Sequence, residues 1–221
     1  MQTNAQSPLK TDSKMKKAII LCNGEPPVKN QVEELLTDQS LFIAADGGAD
    51  IAKSFGLLPD LVIGDLDSYN PAAEDSFPVI HDPDQETNDL EKALNYALKQ
   101  NISEAIVFGA TGLRIDQTLK NLSVLKQFRN RFRSLIFRDT ICDILLPESP
   151  FRKVLPAGTT VSLFPLSGRV DGITTKGLRY SLDDETLENG VRDGSSNESR
   201  EPEVVIEFKK GDLLVIINHT V

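Results

Sequence analysis

The chain has 221 residues, and its 24 Lys and Arg against 33 Asp and Glu give a formal net charge of −9 at pH 7. Because nucleic-acid phosphates are bound through an excess of basic side chains, this balance disfavours a nucleic-acid partner. The sequence has no uninterrupted apolar stretch of about 18 residues, so we expect no membrane span.

Residues 1–15 are polar without hydrophobic periodicity, and we expect a disordered leader there. Over 16–147, apolar runs of strand length alternate with segments of helical spacing, which predicts an α/β domain with a parallel sheet. Thr87 or Asn88 is the predicted N-cap of its third helix. The predicted elements are strand 18–22, helix 28–36, strand 41–45, helix 49–55, strand 61–63, helix 90–99, strand 105–108, helix 115–128 and strand 135–137.

The pattern changes near residue 147, and 148–221 predicts a second, smaller domain of antiparallel strands. Its short apolar runs are separated by Gly, Pro and Asp turns, and they cover 160–164, 170–174, 204–208 and 213–217. Residues 181–200 are polar and acidic, and we expect a long loop or an exposed hairpin there. Cys22 and Cys142 each lie in an apolar run, which favours buried thiols in a reducing cytoplasm over a disulfide.

Aspartates follow the apolar runs of the first domain. Asp46 ends the run 41–45, Asp65 follows 61–63, Asp89 opens a helix and Asp116 follows the strand 105–108. In open α/β sheets ligands bind beyond the carboxyl ends of the strands, and carboxylates that converge there repel one another unless a cation holds them. Oxygen ligands of this kind suit Mg²⁺ together with substrate phosphates. The pattern therefore predicts magnesium-dependent chemistry on a phosphorylated substrate.

Asp65 and Asp67 form a D-x-D element. On an extended segment residues two apart face the same way, so both carboxylates could reach one metal. The alternative is a simple Asx-turn after the strand, which such sequences also favour. Similarly, Asp89 and Lys92 share one side of a helix start and could be part of the site or only a surface ion pair.

Two glycine-containing turns follow predicted strands. Asp46-Gly47-Gly48 could leave amides free for an anion or could be a plain strand–turn–helix connection. The turn from Gly109 to Gly112 uses small residues that admit a phosphate, and Arg114 after it could clamp that phosphate with two hydrogen bonds. Asp116 could orient Arg114 or cap the following helix.

Taken in order, these strings resemble the thiamine pyrophosphokinase (thiamin diphosphokinase) family. The resemblance covers nearly everything after the leader and is most specific in the second string. It is carried by 45–49, 59–68, 83–94 and 109–117, and more weakly by 177–182 and 194–198.

The resemblance implies a homodimer with an N-terminal α/β domain, a C-terminal β-sandwich that binds thiamine, and an active site at the subunit interface. It implies transfer of a pyrophosphoryl group from Mg-ATP to the hydroxyl of thiamine, with thiamine diphosphate and AMP as products. It also assigns residues. Asp65, Asp67 and Asp89 would hold magnesium, with Asp46 in the same catalytic group. The ATP side would be Gly109, Thr111, Gly112, Arg114, Asp116 and Lys92, and the thiamine side Gln85, Tyr180, Ser196 and Asn197.

Within this assignment, Asp65 is our candidate to accept the hydroxyl proton. The chain departs from the family at four positions: the family often has glycine at Leu113, threonine at Asn88 and histidine at Gln117, and eukaryotic members have tryptophan at Tyr180. Two alternatives remain. One is a metal-dependent glycosyl- or nucleotidyl-transferase built on the D-x-D element, and the other is a non-catalytic nucleotide-binding module.

Overall fold

The computed structural model describes residues 17–73 and 75–219, so the expected leader over 1–15 lies outside the described residues. The chain divides into two compact units between Thr140 and Ile141. The boundary predicted from the sequence, after residue 147, lies further along the chain. The difference arises because strand Cys142–Leu145 pairs antiparallel with the last strand of the second unit.

The first unit is an α/β domain, as predicted. Its elements are β1 (Lys17–Leu21), α1 (Lys29–Glu33), β2 (Ser40–Ala45), α2 (Gly48–Ser54), β3 (Leu61–Gly64), β4 (Val79–His81), α3 (Asp89–Lys99), β5 (Glu104–Phe108), α4 (Ile115–Phe128), a 3₁₀ turn (Arg129–Arg131) and β6 (Ser134–Arg138). The strands pair in the order β6-β5-β1-β2-β3-β4, and each of these pairs is parallel.

The central strands are mostly apolar, as expected for a buried sheet. All six residues of β2 and all four of β3 are buried, which is the pattern of a parallel sheet covered by helices. In one core cluster, Ile19 and Phe42 of the sheet pack against Val32 of α1 and Ala52 of α2. Helix α3 packs against β1, β2 and β3.

Three details of the first unit differ from the sequence prediction or refine it. Helix α1 ends at Glu33 instead of residue 36, because Leu35 and Leu36 donate to carbonyls three residues back and tighten the last turn. Strand β4 has only three residues, all of them exposed, and its two apolar side chains, Val79 and Ile80, are too few to show a pattern. Of the two predicted caps for α3, Asn88 is the one used: its side chain accepts from the backbone N–H of Glu91 at 2.9 Å.

The order of the strands sets where a ligand can bind. β1 lies between β2 and β5, so the chain runs outward through β2, β3 and β4 and then returns to the other side of β1. Open α/β sheets bind ligands beyond the carboxyl ends of their strands at such a reversal. The loops after β1, β2, β3 and β5 share this edge because their strands are parallel.

The second unit is a β-sandwich of two antiparallel sheets, ordered β12-β9-β14-β7 and β11-β10-β13-β8. Its strands are β7 (Cys142–Leu145), β8 (Phe151–Val154), β9 (Thr160–Pro165), β10 (Arg169–Lys176), β11 (Glu185–Glu188), β12 (Gly194–Glu198), β13 (Glu203–Glu207) and β14 (Leu213–Asn218). The two layers meet at Gly194, where an added Cβ would lie 2.9 Å from the Cβ of Leu163 and 3.4 Å from Leu187.

The expectation of a long loop or exposed hairpin over 181–200 is wrong. This segment carries β11 and β12, which join opposite sheets of the sandwich. Leu187 is fully buried, and Asn197 is 6% exposed. The polar composition hid both strands because many of the side chains face outward, and the buried apolar positions are too few to show an alternation.

Two smaller findings complete the fold. Cys22 and Cys142 are free, buried thiols, as predicted, and burial with the nearby charge of Asp89 raises the pKa of Cys22 to about 12. Among the helices of residues 17–73 and 75–219, none is long and apolar enough to cross a membrane.

Candidate active site

Three carboxylates converge at the carboxyl edge of the parallel sheet. Asp46 follows β2, Asp65 follows β3, and Asp89 is the first residue of α3. One oxygen from each lies within 4.8 Å of the other two. Gly64 makes this approach possible, because an added Cβ there would lie 2.9 Å from the Cβ of Asp46 and 3.0 Å from Oδ1 of Asp89. We call Asp46, Asp65 and Asp89 the acidic cluster.

Asp46 is the most constrained member of the acidic cluster. It is 4% exposed, and its backbone has φ +47°, in the left-handed region that few non-glycine residues adopt. Its Oδ2 accepts from the backbone N–H of Ser68 at 3.2 Å, whereas its buried Oδ1 has no hydrogen-bond partner among the described residues. Burial raises the pKa of Asp46, hydrogen bonds from the Gly47 backbone and from Ser68 offset part of this rise, and the charges of Asp89 and Asp67 add to it. Asp46 is thus a buried carboxyl beside two other carboxylates, an arrangement that a divalent cation would stabilise.

Asp65 is in the opposite electrostatic situation. Burial alone would raise its pKa, but hydrogen bonds from the backbone N–H of Asp67 and the side chain of Gln85, together with the charge of Lys92, hold it below the usual range. The Gln85 Nε2 to Asp65 Oδ2 distance is 3.2 Å. Asp65 is therefore ionised at neutral pH, and the expected thiamine contact Gln85 lies beside the acidic cluster.

Asp67 is placed differently from the extended-segment expectation. Leu66 has φ +64°, so the D-x-D segment is not extended, and Asp65 Oδ1 accepts from the backbone N–H of Asp67 at 3.2 Å. This is the Asx-turn that the sequence left as the alternative. Asp67 is exposed and accepts from the hydroxyl of Ser68 at 2.9 Å. Its negative charge raises the pKa of Asp46. Its role as a metal ligand stays a prediction.

Lys92 lies inside the acidic site instead of on the surface. Its side chain is 2% exposed, and its Nζ lies 3.2 Å from Oδ1 of Asp89. The same oxygen accepts from the backbone N–H of Asp65 at 3.2 Å. The surface-pair interpretation is therefore excluded by burial, and the ammonium compensates part of the charge of the acidic cluster.

The glycines after β2 serve close packing. An added Cβ at Gly48 would lie 2.0 Å from the carbonyl oxygen of Leu21, and one at Gly47 would lie 2.4 Å from the side chain of Asn23. Helix α2 thus starts against the end of β1. Of the two interpretations for this turn, the plain strand–turn–helix connection accounts for both glycines.

The turn after β5 has the backbone that glycine permits. Gly109 and Gly112 have φ +64° and +79°, and Leu113 has φ +52° although it is not glycine. The hydroxyl of Thr111 donates to Asp139 after β6. Leu113 is 72% exposed, so its strain is not offset by burial.

Arg114 and Asp116 form a two-bond pair next to this turn. Arg114 Nε and one terminal nitrogen lie 3.2 and 2.5 Å from the two carboxylate oxygens of Asp116. The N-cap of α4 is Arg114, whose side chain makes no cap hydrogen bond, and Asp116 lies in the first turn of the helix and pairs with the Arg114 guanidinium. Both side chains are largely exposed, at 70% and 62%.

Sequence reasoning missed the loop after β1. The backbone N–H of Gly24 donates to Gly109 at 2.9 Å, and that of Glu25 donates to Thr111 at 2.8 Å. An added Cβ at Gly24 would lie 2.3 Å from the Gly109 carbonyl oxygen. The signal was present, because Asn23-Gly24 follows an apolar strand as Asp46-Gly47 does.

In the second unit, Asn197 holds the backbone of Tyr180. Its Oδ1 accepts from Tyr180 N–H at 3.0 Å and from Glu198 N–H at 2.9 Å, and its Nδ2 donates to the Tyr180 carbonyl at 2.7 Å. The Tyr180 ring is 62% exposed and lies 5.3 Å from the Arg179 guanidinium. Ser196 has φ +57° and donates its backbone N–H to Ser162 at 3.0 Å. Asn197 therefore fixes the backbone of Tyr180, whose exposed ring lies next to the Arg179 guanidinium.

The donors at the acidic cluster fit Mg²⁺. The three carboxylates supply hard oxygen ligands. The buried Oδ1 of Asp46 has no hydrogen-bond partner among the described residues, so it can accept a cation without losing a hydrogen bond. Neither of the two cysteines belongs to the cluster, which disfavours a softer metal.

Comparison with known proteins identifies the family. Residues 32–137 match the family described as Thiamin pyrophosphokinase, catalytic domain, and residues 149–213 match Thiamin pyrophosphokinase, vitamin B1 binding domain. The acidic cluster lies in the first segment, and Tyr180 and Asn197 lie in the second. The chain belongs to the thiamin pyrophosphokinase family.

Relatives support the same assignment. The chain is 27% identical to thiamin pyrophosphokinase 1 of Caenorhabditis elegans over 203 residues, which cover 85% of this chain and 84% of that protein. It is 27% identical to thiamine pyrophosphokinase of Bacillus subtilis over 211 residues, which cover 90% of this chain and 98% of that protein. The crystal structure of thiamine pyrophosphokinase from Bacillus subtilis superposes with a TM-score of 0.80 at 22% identity, covering 93% of this chain and 100% of that one. The thiamin pyrophosphokinase fold thus extends over both units.

Proposed function

We propose that this protein is a thiamine diphosphokinase, which transfers a pyrophosphoryl group from ATP to the hydroxyl of thiamine and releases thiamine diphosphate and AMP. The observation that carries the proposal is the acidic cluster, with the unpartnered Oδ1 of Asp46, in a chain that matches both domains of the family. The alternative of a D-x-D sugar or nucleotidyl transferase is not favoured, because the D-x-D segment is a turn and the family match covers both units.

Asp46, Asp65 and Asp89 would hold Mg²⁺, with Asp67 beside them. When bound, the ion would offset the negative charge of the phosphates. Lys92 is proposed to act on ATP through its charge, since its ammonium is bonded to Asp89 and buried. In this proposal the ion and Lys92 compensate charge, and other side chains of the chain bind and orient the two substrates.

The nucleotide side of the proposed site is the Gly109–Gly112 turn with Arg114. Gly109 and Gly112 have positive φ, and their lack of a side chain lets the turn pack against the loop after β1, where an added Cβ would lie 2.4 Å from the Cys22 carbonyl oxygen and 2.5 Å from the Cβ of Glu25. The guanidinium of Arg114 is exposed and held in a fixed orientation by Asp116, so a phosphate can meet it with two parallel hydrogen bonds.

The chemical step needs a nucleophile and a place for its proton. The hydroxyl oxygen of thiamine attacks the β-phosphorus, the bond from that phosphorus to the oxygen bridging the α-phosphorus breaks, and AMP leaves with that oxygen. Asp65 accepts the hydroxyl proton; it is ionised at neutral pH and lies within the acidic cluster beside Gln85. Positioning and charge compensation supply most of the catalysis in reactions of this class.

The thiamine side of the proposal consists of Gln85, Tyr180, Ser196 and Asn197. Gln85 is anchored by Asp65, and Tyr180 presents an exposed ring that can stack on a cationic heterocycle for roughly 0.5–2 kcal/mol. Asn197 contributes by fixing the Tyr180 backbone. The net charge of −9 favours a cationic substrate over an anionic one.

We also propose that the enzyme is a homodimer with its active site at the subunit interface, and that it works in the cytoplasm. Ile115 and Leu119, one turn apart on α4, are 72% and 60% exposed, which supports association through this face. The two unbridged thiols support a reducing compartment. Light scattering measures the oligomeric state.

Complementation tests the shared site. Asp65→Asn should be inactive, and Tyr180→Ala should lose up to about 30-fold in kcat/KM for thiamine, which is the stacking energy given above. When the two variants are unfolded and refolded together, activity at low thiamine should rise to about a quarter of wild type, because half the dimers are mixed and each has one intact site. No recovery would show that each subunit carries a complete site.

The deciding experiment for the activity is an assay of AMP formation from ATP. AMP and thiamine diphosphate should appear in equal amounts, and only when thiamine and Mg²⁺ are both present. Formation of ADP, or turnover of a nucleotide sugar without thiamine, would contradict the proposal. The Asp65→Asn variant is the matched loss-of-function control.

A further inference from the structure

A buried asparagine connects two parts of the proposed site. Asn121 lies on α4 and is 8% exposed. Its Nδ2 donates to the carbonyl of Ala110 at 2.8 Å, and its Oδ1 accepts from Nδ2 of Asn88 at 2.9 Å. Ala110 belongs to the Gly109–Gly112 turn, and Asn88 is the N-cap of α3.

The orientation of both amides is fixed by their partners. Asn88 Oδ1 must face the backbone N–H of Glu91, which it caps at 2.9 Å, so its Nδ2 is directed to Asn121. Asn121 must then offer its oxygen to Asn88 and its nitrogen to the Ala110 carbonyl. Only a side chain with one donor and one acceptor satisfies both ends, because a carboxylate lacks the donor and an apolar residue lacks both.

The acidic cluster begins at the next residue of the chain. Asp89 follows Asn88 directly, and its Oδ1 is bonded to the backbone of Asp65 and to Lys92. A shift in the N-cap of α3 therefore moves a carboxylate of the acidic cluster. A second link also joins α4 to the N-cap of α3. Lys120 lies 2.8 Å from Glu91 Oε2, which accepts from the backbone N–H of Asn88 at 3.0 Å, but this link does not reach the turn at Ala110.

We propose that Asn121 is a positioning residue that couples the Gly109–Gly112 turn to the acidic cluster. The inference rests on the proposed function, in which one nucleotide must meet the turn and the carboxylates at once. Its chain of hydrogen bonds, Ala110 to Asn121 to Asn88, fixes the distance between these two halves. Loss of this link leaves each half intact but misaligned, and misplacement by about 1 Å is enough to cost two orders of magnitude in rate.

The test measures coupling directly. Mn²⁺, as a spectroscopic substitute for Mg²⁺, is titrated by electron paramagnetic resonance with and without α,β-methylene-ATP. In the wild type the nucleotide analogue should raise Mn²⁺ affinity at least about tenfold. In Asn121→Asp and Asn121→Ala this factor should fall below about threefold, while Mn²⁺ affinity without nucleotide stays within about threefold of wild type. With thiamine, kcat should fall about tenfold or more.

Lys120→Met is the matched control, since it breaks the other α3–α4 link. It should keep the wild-type coupling factor and kcat even if its melting temperature falls. Asn121 variants that unfold at lower temperature yet keep wild-type coupling and kcat would overturn the inference, and so would a wild type without coupling. A wild type that couples Mn²⁺ to the nucleotide but forms no AMP with thiamine would overturn the proposed function alone, and the coupling factors of the variants would still decide the role of Asn121.

Discussion

The ammonium of Lys92 lies 3.2 Å from Oδ1 of Asp89, with a side chain only 2% exposed. Three carboxylates and this one ammonium leave two net negative charges in the acidic cluster, the charge that one divalent cation balances. The lysine therefore lowers the cost of holding the carboxylates together before the metal binds.

Lys92→Met should destabilise the metal-free protein. Removing one partner of a buried pair costs roughly 3–5 kcal/mol, and the partial exposure of Asp89 lowers our expectation to about 2 kcal/mol. Mg²⁺ should restore part of the loss, because it replaces the missing positive charge. Urea unfolding in EDTA and in Mg²⁺ measures both effects.

The control for this prediction is Lys209→Met. Lys209 lies 2.6 Å from Asp184, but both side chains are exposed, so its loss should cost no more than about 0.5 kcal/mol. If both variants lost the same free energy of unfolding, the Lys92–Asp89 pair would contribute no more than a surface ion pair.

Asp46→Asn should stabilise the metal-free protein at pH 7 and abolish metal binding. Asparagine has the same shape as aspartate and tolerates the left-handed backbone at φ +47°. Because the substitution removes a buried charge, the free energy of unfolding should rise by about 1 kcal/mol. Because the pKa of Asp46 is raised in the folded state, its penalty is present at neutral pH and is lost as the pH falls through that pKa. The advantage of the variant should therefore shrink towards acid.

Thermal unfolding across pH and Mn²⁺ titration measure this prediction. Asp184→Asn is the matched control, since Asp184 also has a left-handed backbone, at φ +52°, but is exposed. It should show neither the stabilisation nor the loss of metal. An Asp46→Asn protein less stable than wild type at pH 7 would contradict the idea of a stored penalty.

Leu113→Gly should stabilise the fold by about 0.5–1 kcal/mol. Leucine at φ +52° costs about 1–2 kcal/mol, from which the flexibility of glycine in the unfolded chain is subtracted. No burial is lost, since Leu113 is 72% exposed. Leu113→Ala keeps the Cβ that causes the strain and should be neutral. Differential scanning calorimetry compares the two, and equal melting temperatures would show that the backbone at this position is not strained.

Asn197→Ala should raise the KM for thiamine and reduce stability by about 1–3 kcal/mol, because it leaves the N–H and C=O of Tyr180 without partners. Asn197→Asp can still accept from Tyr180 but cannot donate, so its effect should be intermediate. Asn189→Ala, at an exposed asparagine with a 3.5 Å contact to Leu166, is the control. Steady-state kinetics with thiamine as the varied substrate decide this prediction, and an unchanged KM in Asn197→Ala would remove Asn197 from the site.

The sequence predicted those features that depend on local pattern. Asp46 and Asp65 were found because each follows a buried apolar run, and parallel strands bring such positions to one edge. Asn88 was among the two predicted caps because capping is a local hydrogen bond. By contrast, the placement of Asp67 depended on the left-handed φ of Leu66, which no residue preference indicated.

The sequence by itself determined that alternating apolar runs build a parallel sheet, that carboxylates collect at its carboxyl edge, and that a β-domain follows. Only the tertiary structure decided that Lys92 is buried among those carboxylates and that Asn197 hydrogen-bonds the backbone of Tyr180. It also decided that Asn121 of α4 bonds both Asn88 and Ala110. The physical reason is that hydrophobic periodicity reports burial along one element. A hydrogen bond between residues 33 positions apart, such as that from Asn88 to Asn121, is set by how different elements pack.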